Sequence, residues 1–206
     1  MDYSQYKQLE FRRKFLKIFG ATIHMTDVGG TNELGIIQMK AFRLKSDITL
    51  FADSAETRPV FNIKARQAVA LNYIFDVFDP QTSQVIFSLE RKGLKSAFVR
   101  DHWTLLDTAG NQFGEIIETS SQLAIFRRWL SFISDIPALI FAFVPETYTI
   151  RTTGAQPQLI GSVIHRKNPF IVKMSMDTSQ AQIAVDPRVA IASCTLLCIR
   201  DAAKNG

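Results

Sequence analysis

Hydrophobic and polar positions alternate over most of this chain. Three short runs of this kind, LGIIQMKAF, DITLFAD and PVFNIKA, are divided by polar or proline-containing joints. A period of two places successive side chains on opposite faces, which is typical of half-buried β-strands. The pattern predicts a mainly β protein whose short, evenly spaced strands form a sandwich or a closed barrel.

An internal repeat indicates that these strands form hairpins. Residues 74–90 and 102–118 have equal length and place Asp79 and Asp107 in register. Alternating flanks surround turns rich in Asp, Pro, Gly, Asn and Ser, as in antiparallel hairpins. A third hairpin is predicted from Tyr148, with TTGAQP as its loop, and IVKMSM adds a further strand. We interpret Asp76, Asp79 and Asp107 as turn residues, because their segments lack the alternating ligands and closing glutamate of an EF-hand loop.

The last segment departs from the strand pattern. No charge occurs from 189 to 199, so a helix here is apolar on every side and needs an apolar surrounding. About eleven residues at about 1.5 Å each are too short for a bilayer, which favours a buried core helix over residues 186–200. Asp186 is suited to cap the helix, and Pro187 fits its first position. Cys194 and Cys198 lie one turn apart and are interpreted as small buried hydrophobes.

Two further segments are predicted outside the strands. SSQLAIFRRWLSFI, starting at Ser120 or Ser121, has the spacing of a peripheral amphipathic helix with Arg127 and Arg128 on its polar side. The apolar continuation from Ser134 is interrupted by a proline and is interpreted as a buried packing segment.

The N-terminal basic segment, residues 1–18, leaves two alternatives open. An apolar stripe of phenylalanine and isoleucine is surrounded by arginine and lysine, as in a basic helix on a membrane surface. The other interpretation is an initial helix or strand that covers the barrel, since basic side chains often flank packing faces.

Composition adds limits rather than a function. The 206 residues, 47% of them hydrophobic, are sufficient for one domain over residues 1–206. A net charge of +5 gives a mild preference for anionic partners. The N-terminus has no apolar run of the signal-peptide type, so we expect a cytoplasmic protein, peripheral to a membrane where it binds lipid.

The order of these elements resembles a known superfamily. The hairpins, the RKGLKSAFVRDHWTLLD segment, the FRRW helix, the YTI strand and the DPRVAIASCTLLCI helix are together similar to tubby C-terminal-like proteins. Within that superfamily, the chain most resembles the LURP-one-related and phospholipid-scramblase-like proteins. This resemblance implies a closed antiparallel β-barrel of about twelve strands around the hydrophobic C-terminal helix. If the helix is enclosed, Leu196→Asp should abolish soluble folded protein, because an unpaired interior carboxylate costs several kcal/mol.

Candidate catalytic chemistry is sparse. His24, His102 and His165 lack metal-ligand spacing and are interpreted as surface or rim residues. The chain contains no nucleophile-elbow or phosphate-loop motif. Side chains of the core helix are expected to fill the barrel interior, which argues against an internal ligand pocket. We therefore expect a non-enzymatic protein with no cofactor or metal.

Two functions remain open. The resemblance implies a barrel that binds anionic lipid head groups or a membrane surface. The alternative is a soluble scaffold that binds a protein partner; nucleic-acid binding is not expected, because no exposed aromatic residues interleave with the basic ones. The predicted lipid contacts are the residues of three basic groups: Arg91, Lys92, Lys95 and Arg100; Arg127 and Arg128; and Arg12, Arg13, Lys14 and Lys17.

Overall fold

The alternating segments form the wall of a closed barrel. The computed structural model describes residues 2–14, 21–39, 47–66, 73–91, 102–119, 145–166 and 171–204. Within them lie twelve strands: β1 Gln8–Lys14, β2 Ala21–Thr26, β3 Glu33–Met39, β4 Asp47–Phe51, β5 Pro59–Ala65, β6 Tyr73–Phe78, β7 Val85–Arg91, β8 His102–Leu106, β9 Gln112–Glu118, β10 Glu146–Thr152, β11 Leu159–Arg166 and β12 Ile171–Asp177.

Each strand pairs with its neighbours in sequence, and the first strand closes the ring by pairing with the last. All pairings are antiparallel, and closure aligns Gln8 with Asp177 and Lys14 with Ile171. The wall therefore has no free edge among the described strands. The predicted fold class, a mainly β closed barrel of about twelve strands, is confirmed.

The two repeated segments are hairpins, as predicted. β6 and β7 pair with Val77 opposite Phe87, and β8 and β9 pair with Trp103 opposite Ile116. The hairpin predicted from Tyr148 is also present, as β10 and β11. Several strand pairs shift register near their turns, which indicates a β-bulge in one strand of each of these pairs. A β-bulge increases the local twist, and a barrel needs this twist to close.

Close packing at one of these bulges requires glycine. Gly35 lies opposite Met25, where the pairing of β2 with β3 shifts. A Cβ added to Gly35 would lie 2.6 Å from the carbonyl oxygen of Phe51. Only a residue without a side chain allows β3 and β4 to approach this closely.

A single α-helix in the described residues, α1, Pro187–Lys204, occupies the barrel interior. Ile191, Cys194 and Leu197 are fully buried, so several sides of the helix face the wall. The cap is formed as predicted, because Asp186 Oδ1 accepts a hydrogen bond of 2.9 Å from the Arg188 backbone N–H. The helix begins at the predicted position and continues beyond residue 200, to Lys204.

Two polar residues of α1 are compatible with this apolar interior. Ser193 and Thr195 are fully buried. Their hydroxyl groups donate hydrogen bonds of 2.7 and 2.8 Å to the carbonyl oxygens of Val189 and Ile191, one turn earlier. Both hydroxyls are therefore satisfied by the helix itself and need no partner from the wall.

The N-terminal segment belongs to the barrel. A short 3₁₀ turn, Tyr3–Gln5, precedes β1. Tyr3 is buried, and its hydroxyl donates a hydrogen bond of 3.0 Å to the Leu34 carbonyl oxygen. The membrane-surface helix is thus wrong for residues 8–14, which form a strand of the wall. The peripheral helix predicted from Ser120 or Ser121, and the continuation after it, lie outside the described residues.

Candidate functional site

The antiparallel order gives the barrel two chemically different ends. At one, here called the hairpin end, the turns 27–32, 52–58, 79–84, 107–111 and 153–158 connect successive strands. Helix α1 begins at this end, where Arg188 Nη1 donates a hydrogen bond of 2.9 Å to Asp79 Oδ2. At the opposite end, called the far end, β1 and β7 finish at Lys14 and Arg91 and β6 begins at Tyr73.

Turn carboxylates dominate the hairpin end. Asp27, Asp53 and Asp107 each accept backbone N–H donors within their own turn. These hydrogen bonds, led by those from Asn32, Thr57 and Asn111 respectively, hold the pKa of each aspartate below its ordinary value. The interpretation of Asp107 as a turn residue is confirmed. That of Asp76 is wrong, because Asp76 lies buried within β6, where its carboxylate accepts hydrogen bonds from Arg66 and Ser88. Among the described residues, no cluster of three or more potential metal ligands occurs.

Asp79 has a second role that its turn position did not predict. Its carboxylate accepts the Gln81 backbone N–H at 2.9 Å, as a turn residue does. The hydrogen bond from Arg188 is the main cause of its lowered pKa. Asp27 and Asp53 were not recognised as members of the repeat, although DVGGTN and DSAETR recur at nearly the same interval as the turns at Asp79 and Asp107.

Arginine side chains at the far end point into the barrel. On β1, Arg13 continues the face of the buried residues Leu9 and Phe11. On β7, Arg91 similarly continues the face of Phe87 and Leu89. β1 and β7 lie on opposite sides of the twelve-strand ring, so the two arginines approach the interior from opposite walls. Burial lowers the pKa of both arginines, but a guanidinium remains protonated in proteins.

A third arginine, Arg200, reaches the far end from the central helix. Its Nη2 donates a hydrogen bond of 2.6 Å to the Tyr148 hydroxyl, which donates one of 2.8 Å to Glu146 Oε2. The same Glu146 oxygen lies 3.7 Å from Arg200 Nη2 and 3.9 Å from His165 Nδ1. These four residues, called the Glu146 cluster, are all buried. They attach the last part of α1 to the wall at β10 and β11.

The Glu146 cluster corrects one prediction about the histidines. His165 is only 2% exposed, rather than a surface or rim residue, because it lies on the inward face of β11. The other two histidines lie on the surface as predicted. His24 Nδ1 is 2.7 Å from Glu33 Oε2, and His102 Nε2 is 2.9 Å from Glu115 Oε2.

The helix does not fill the interior completely, contrary to the prediction from sequence. A cavity of about 340 Å³ remains at the far end between α1 and the wall. Its lining residues are aromatic, aliphatic and cationic: Tyr73, Phe75 and Trp103; Leu196 and Ile199; and Arg91 and Arg200.

The cavity wall has a defined internal order. The rings of Phe75 and Trp103 pack with centroids 5.9 Å apart. The guanidinium of Arg91 lies over the Trp103 ring at 5.7 Å, a favourable cation–π contact. Arg200 similarly lies 5.2 Å from the Tyr148 ring centroid. Both cations are therefore positioned by aromatic side chains of the wall.

The predicted contact residues separate in the structure. Arg12 points outward, with Nη2 3.0 Å from Glu10 Oε2, and so diverges from Arg13. Arg91 lines the same cavity as Arg200. The sequence reasoning missed Arg200 because it closes an apolar run; its position four residues after Leu196 on a buried helix was the available signal. Of Lys14 only the backbone is described. The remaining predicted contacts lie outside the described residues: Lys17, Lys92, Lys95, Arg100, Arg127 and Arg128.

The two cysteines are not placed to act as nucleophiles. Both thiols are fully buried in α1. Burial raises the pKa of Cys194 well above its ordinary value. The thiol therefore stays protonated, and a protonated thiol is a poor nucleophile and metal ligand. This agrees with their interpretation as small buried hydrophobes.

Comparison with known proteins agrees with the barrel and its central helix. A family model described as LURP-one-related matches residues 34–200, which include β3 to β12 and most of α1. The chain belongs to the LURP-one-related family. No curated protein and no solved structure matches this LURP-one-related chain significantly. In the described part of the chain, no helix has both the length and the hydropathy needed to cross a bilayer.

Proposed function

We propose that this LURP-one-related protein is a non-enzymatic barrel that attaches to anionic phospholipid surfaces through its far end, at the cytoplasmic side of a membrane. The observation that carries the proposal is the opposite charge of the two ends. Partly exposed turn aspartates gather at the hairpin end, whereas inward-facing arginines from β1, β7 and α1 share the far end. An anionic surface attracts the second end and repels the first.

The separation of the ends allows each to act independently. A seven-residue strand such as β7 extends about 23 Å at roughly 3.3 Å per residue. This distance exceeds the screening length of about 8 Å at physiological salt. A membrane beneath the far end is therefore influenced mainly by the basic residues of that end, and the hairpin-end carboxylates contribute little repulsion.

The sequence next to Arg91 supports the same orientation. Lys92, Lys95 and Arg100 follow it directly, before β8 begins at His102. Each basic residue close to an anionic surface contributes about 1 kcal/mol of attraction. Several such residues are needed together for useful affinity, and the proposal assigns that role to this group.

A co-sedimentation experiment tests the proposal. The protein is mixed with neutral or anionic liposomes at low and at moderate salt. We expect binding to anionic liposomes only, weakened by salt. Lys92→Glu/Lys95→Glu should weaken it by about 30-fold or more, since two attractions of about 1 kcal/mol are lost. This variant leaves Arg91 and its cavity unchanged.

A matched control places the same charge change at the other end. Lys7→Glu/Arg58→Glu alters two exposed residues near the hairpin end, and Arg58 loses a partly exposed ion pair with Asp53. This variant should bind anionic liposomes almost as the original protein does. Equal loss in both variants would indicate an effect of net charge, and absence of binding in all conditions would refute the proposal.

The protein-scaffold alternative gains no support from the described surface. Among the described residues, the exposed large apolar side chains are Val28 and Ile164, which lie on a turn and on β11. Isolated residues of this kind are ordinary and do not form an apolar interface.

A further inference from the structure

The cavity at the far end has the composition of a ligand site. It combines an apolar, aromatic wall with two cations that border the same space, Arg91 and Arg200. Ligand pockets in proteins are typically apolar with a few polar groups that fix orientation. A cavity of this kind differs from the exposed surface that membrane attachment uses, because its cations are partly withdrawn from water.

The two guanidinium groups determine the charge of the ligand. Arg200 is held by the Tyr148 hydroxyl at 2.6 Å, and Arg91 is held against the Trp103 ring. Their positions are thus set before a ligand arrives, which lowers the entropy lost on binding. Guanidinium groups donate paired hydrogen bonds to carboxylates and phosphates, and these bonds are stronger where water is excluded.

The rest of the wall determines the body of the ligand. Leu196 and Ile199 provide an aliphatic face from α1, opposite the packed rings of Phe75 and Trp103. An apolar chain or ring that enters between them is stabilised because its surface is removed from water. A purely polar anion, such as inorganic phosphate, would leave these apolar contacts unused.

The volume limits how much of the ligand is enclosed. At about 30 Å³ per water molecule, 340 Å³ corresponds to about eleven water-sized groups. This is near the lower limit of small-molecule pockets, about 300 Å³. The space suits one acidic group and most of one apolar chain, whose end extends beyond the cavity, but not a complete lipid with two chains.

We propose that the cavity between β6, β7, β8 and α1 binds a single-chain amphiphilic anion, with its carboxylate or phosphate at Arg91 and Arg200 and its apolar chain against Trp103 and Ile199. Such a ligand is available either as a free fatty acid or as a single-chain phospholipid. The site does not depend on membrane attachment, although both would use the same end of the barrel.

Titration calorimetry tests the proposal with four probes below their micelle concentrations. Dodecanoate and dodecyl phosphate represent the two sources, and dodecanol and dodecyltrimethylammonium carry the same chain without the anion. We expect one molecule of an anion to bind per protein, and the neutral and cationic probes to bind at least 10-fold more weakly. The stronger of the two anions identifies the source.

Variants locate the binding in the cavity. Arg91→Gln should weaken dodecanoate binding by about 10- to 100-fold, the range for loss of charge-assisted hydrogen bonds. Ile199→Trp fills the space and keeps both arginines, so it should abolish binding. It serves as a second test of the site if Arg91→Gln lowers protein stability. Thermal unfolding of each variant shows that it is folded.

The outcomes separate this proposal from membrane attachment. Lys92→Glu/Lys95→Glu should bind dodecanoate with the affinity of the original protein, while its binding to anionic liposomes is weakened. Dodecanol that binds as tightly as dodecanoate, or an Ile199→Trp variant that binds like the original protein, would overturn the cavity site. Liposome binding that fails while calorimetry succeeds would refute only the proposed surface function.

Discussion

Truncation of Leu197 tests the position of α1 inside the barrel. Its side chain is 0% exposed and lies in the middle of the helix. We choose it in place of Leu196, the residue that the sequence suggested. Leu196 lines the far-end cavity with Arg91 and Arg200, so an aspartate there would meet two cations as well as apolar atoms. The expected loss of fold from Leu196→Asp is therefore no longer a clear test.

The magnitude follows from the enclosure. Leu197→Ala removes three carbon groups, which corresponds to about 2.4 kcal/mol at roughly 0.8 kcal/mol each. The remaining hole adds a further cost, and buried Leu→Ala changes measure about 2.7 to 5 kcal/mol in total. A closed wall cannot easily collapse onto a shortened side chain, so we expect about 3 to 4 kcal/mol. This is a large part of a typical stability of about 5 to 15 kcal/mol.

The assay is equilibrium unfolding in urea, followed by far-ultraviolet circular dichroism. Leu197→Met conserves volume and should cost less than about 1.5 kcal/mol. Val28→Ala changes a residue that is 59% exposed and should alter stability by no more than about 0.5 kcal/mol. Together the controls separate packing inside the barrel from general effects of apolar substitution.

A small effect would refute the reasoning. If Leu197→Ala costs less than about 1 kcal/mol while the protein unfolds in one cooperative transition, the side chain is not enclosed on all sides. The helix would then lie on the surface of the barrel or detach from it without loss of the wall.

Three further predictions concern the hairpin end. Arg188→Ala removes the ion pair with Asp79 that links α1 to a hairpin turn, and urea unfolding should show a loss of about 1 kcal/mol because both groups are partly exposed; an unchanged midpoint would contradict this link. Gly35→Ala forces a Cβ to within 2.6 Å of the Phe51 carbonyl oxygen and should lower stability by about 1 to 3 kcal/mol, visible as a lower melting temperature; a stabilised variant would show that β3 and β4 lie further apart. The lowered pKa of Asp107 means that its folded carboxyl is favoured in the ionised form, so its contribution is present above the ordinary value of 3.8 and is lost as the pH falls through the folded pKa. The melting temperature, measured at decreasing pH from pH 5, should therefore decrease once the pH is below about 4. The decrease should be smaller in Asp107→Asn, and an equal decrease in the two proteins would exclude Asp107 as its cause.

Much of the wall could be predicted because each hairpin is a local structure. Alternation identifies the inward face of a strand, and the turn residues at Asp79 and Asp107 mark where the chain reverses. β2 was missed although ATIHMT alternates apolar and polar residues from Ala21 to Thr26, so a local signal for this strand was present. β1 remained undecided between helix and strand, since its basic residues fit both patterns and its partner β12 lies at the other end of the chain.

The candidate site was predicted only in part, for a related reason. Arg91 was identified as a basic residue beside two lysines, which suggested an exposed charge group rather than an inward-facing side chain. Arg200 and Glu146 gave no signal as a pair, because they lie more than fifty residues apart and meet only when α1 enters the barrel. The cavity was not predicted, since free volume depends on how side chains of several elements fit together.

By itself, the sequence determined the strands, the repeated turns and the helix with its Asp186 cap, because these depend on the order of polar and apolar residues over a few neighbouring positions. Only the tertiary structure decided that β1 closes the ring against β12, that the hairpin end is acidic, and that Arg91 and Arg200 border one cavity. Those features depend on strand order and register across the whole chain. A local pattern records which side of a strand is buried, but not which distant residue lies opposite it.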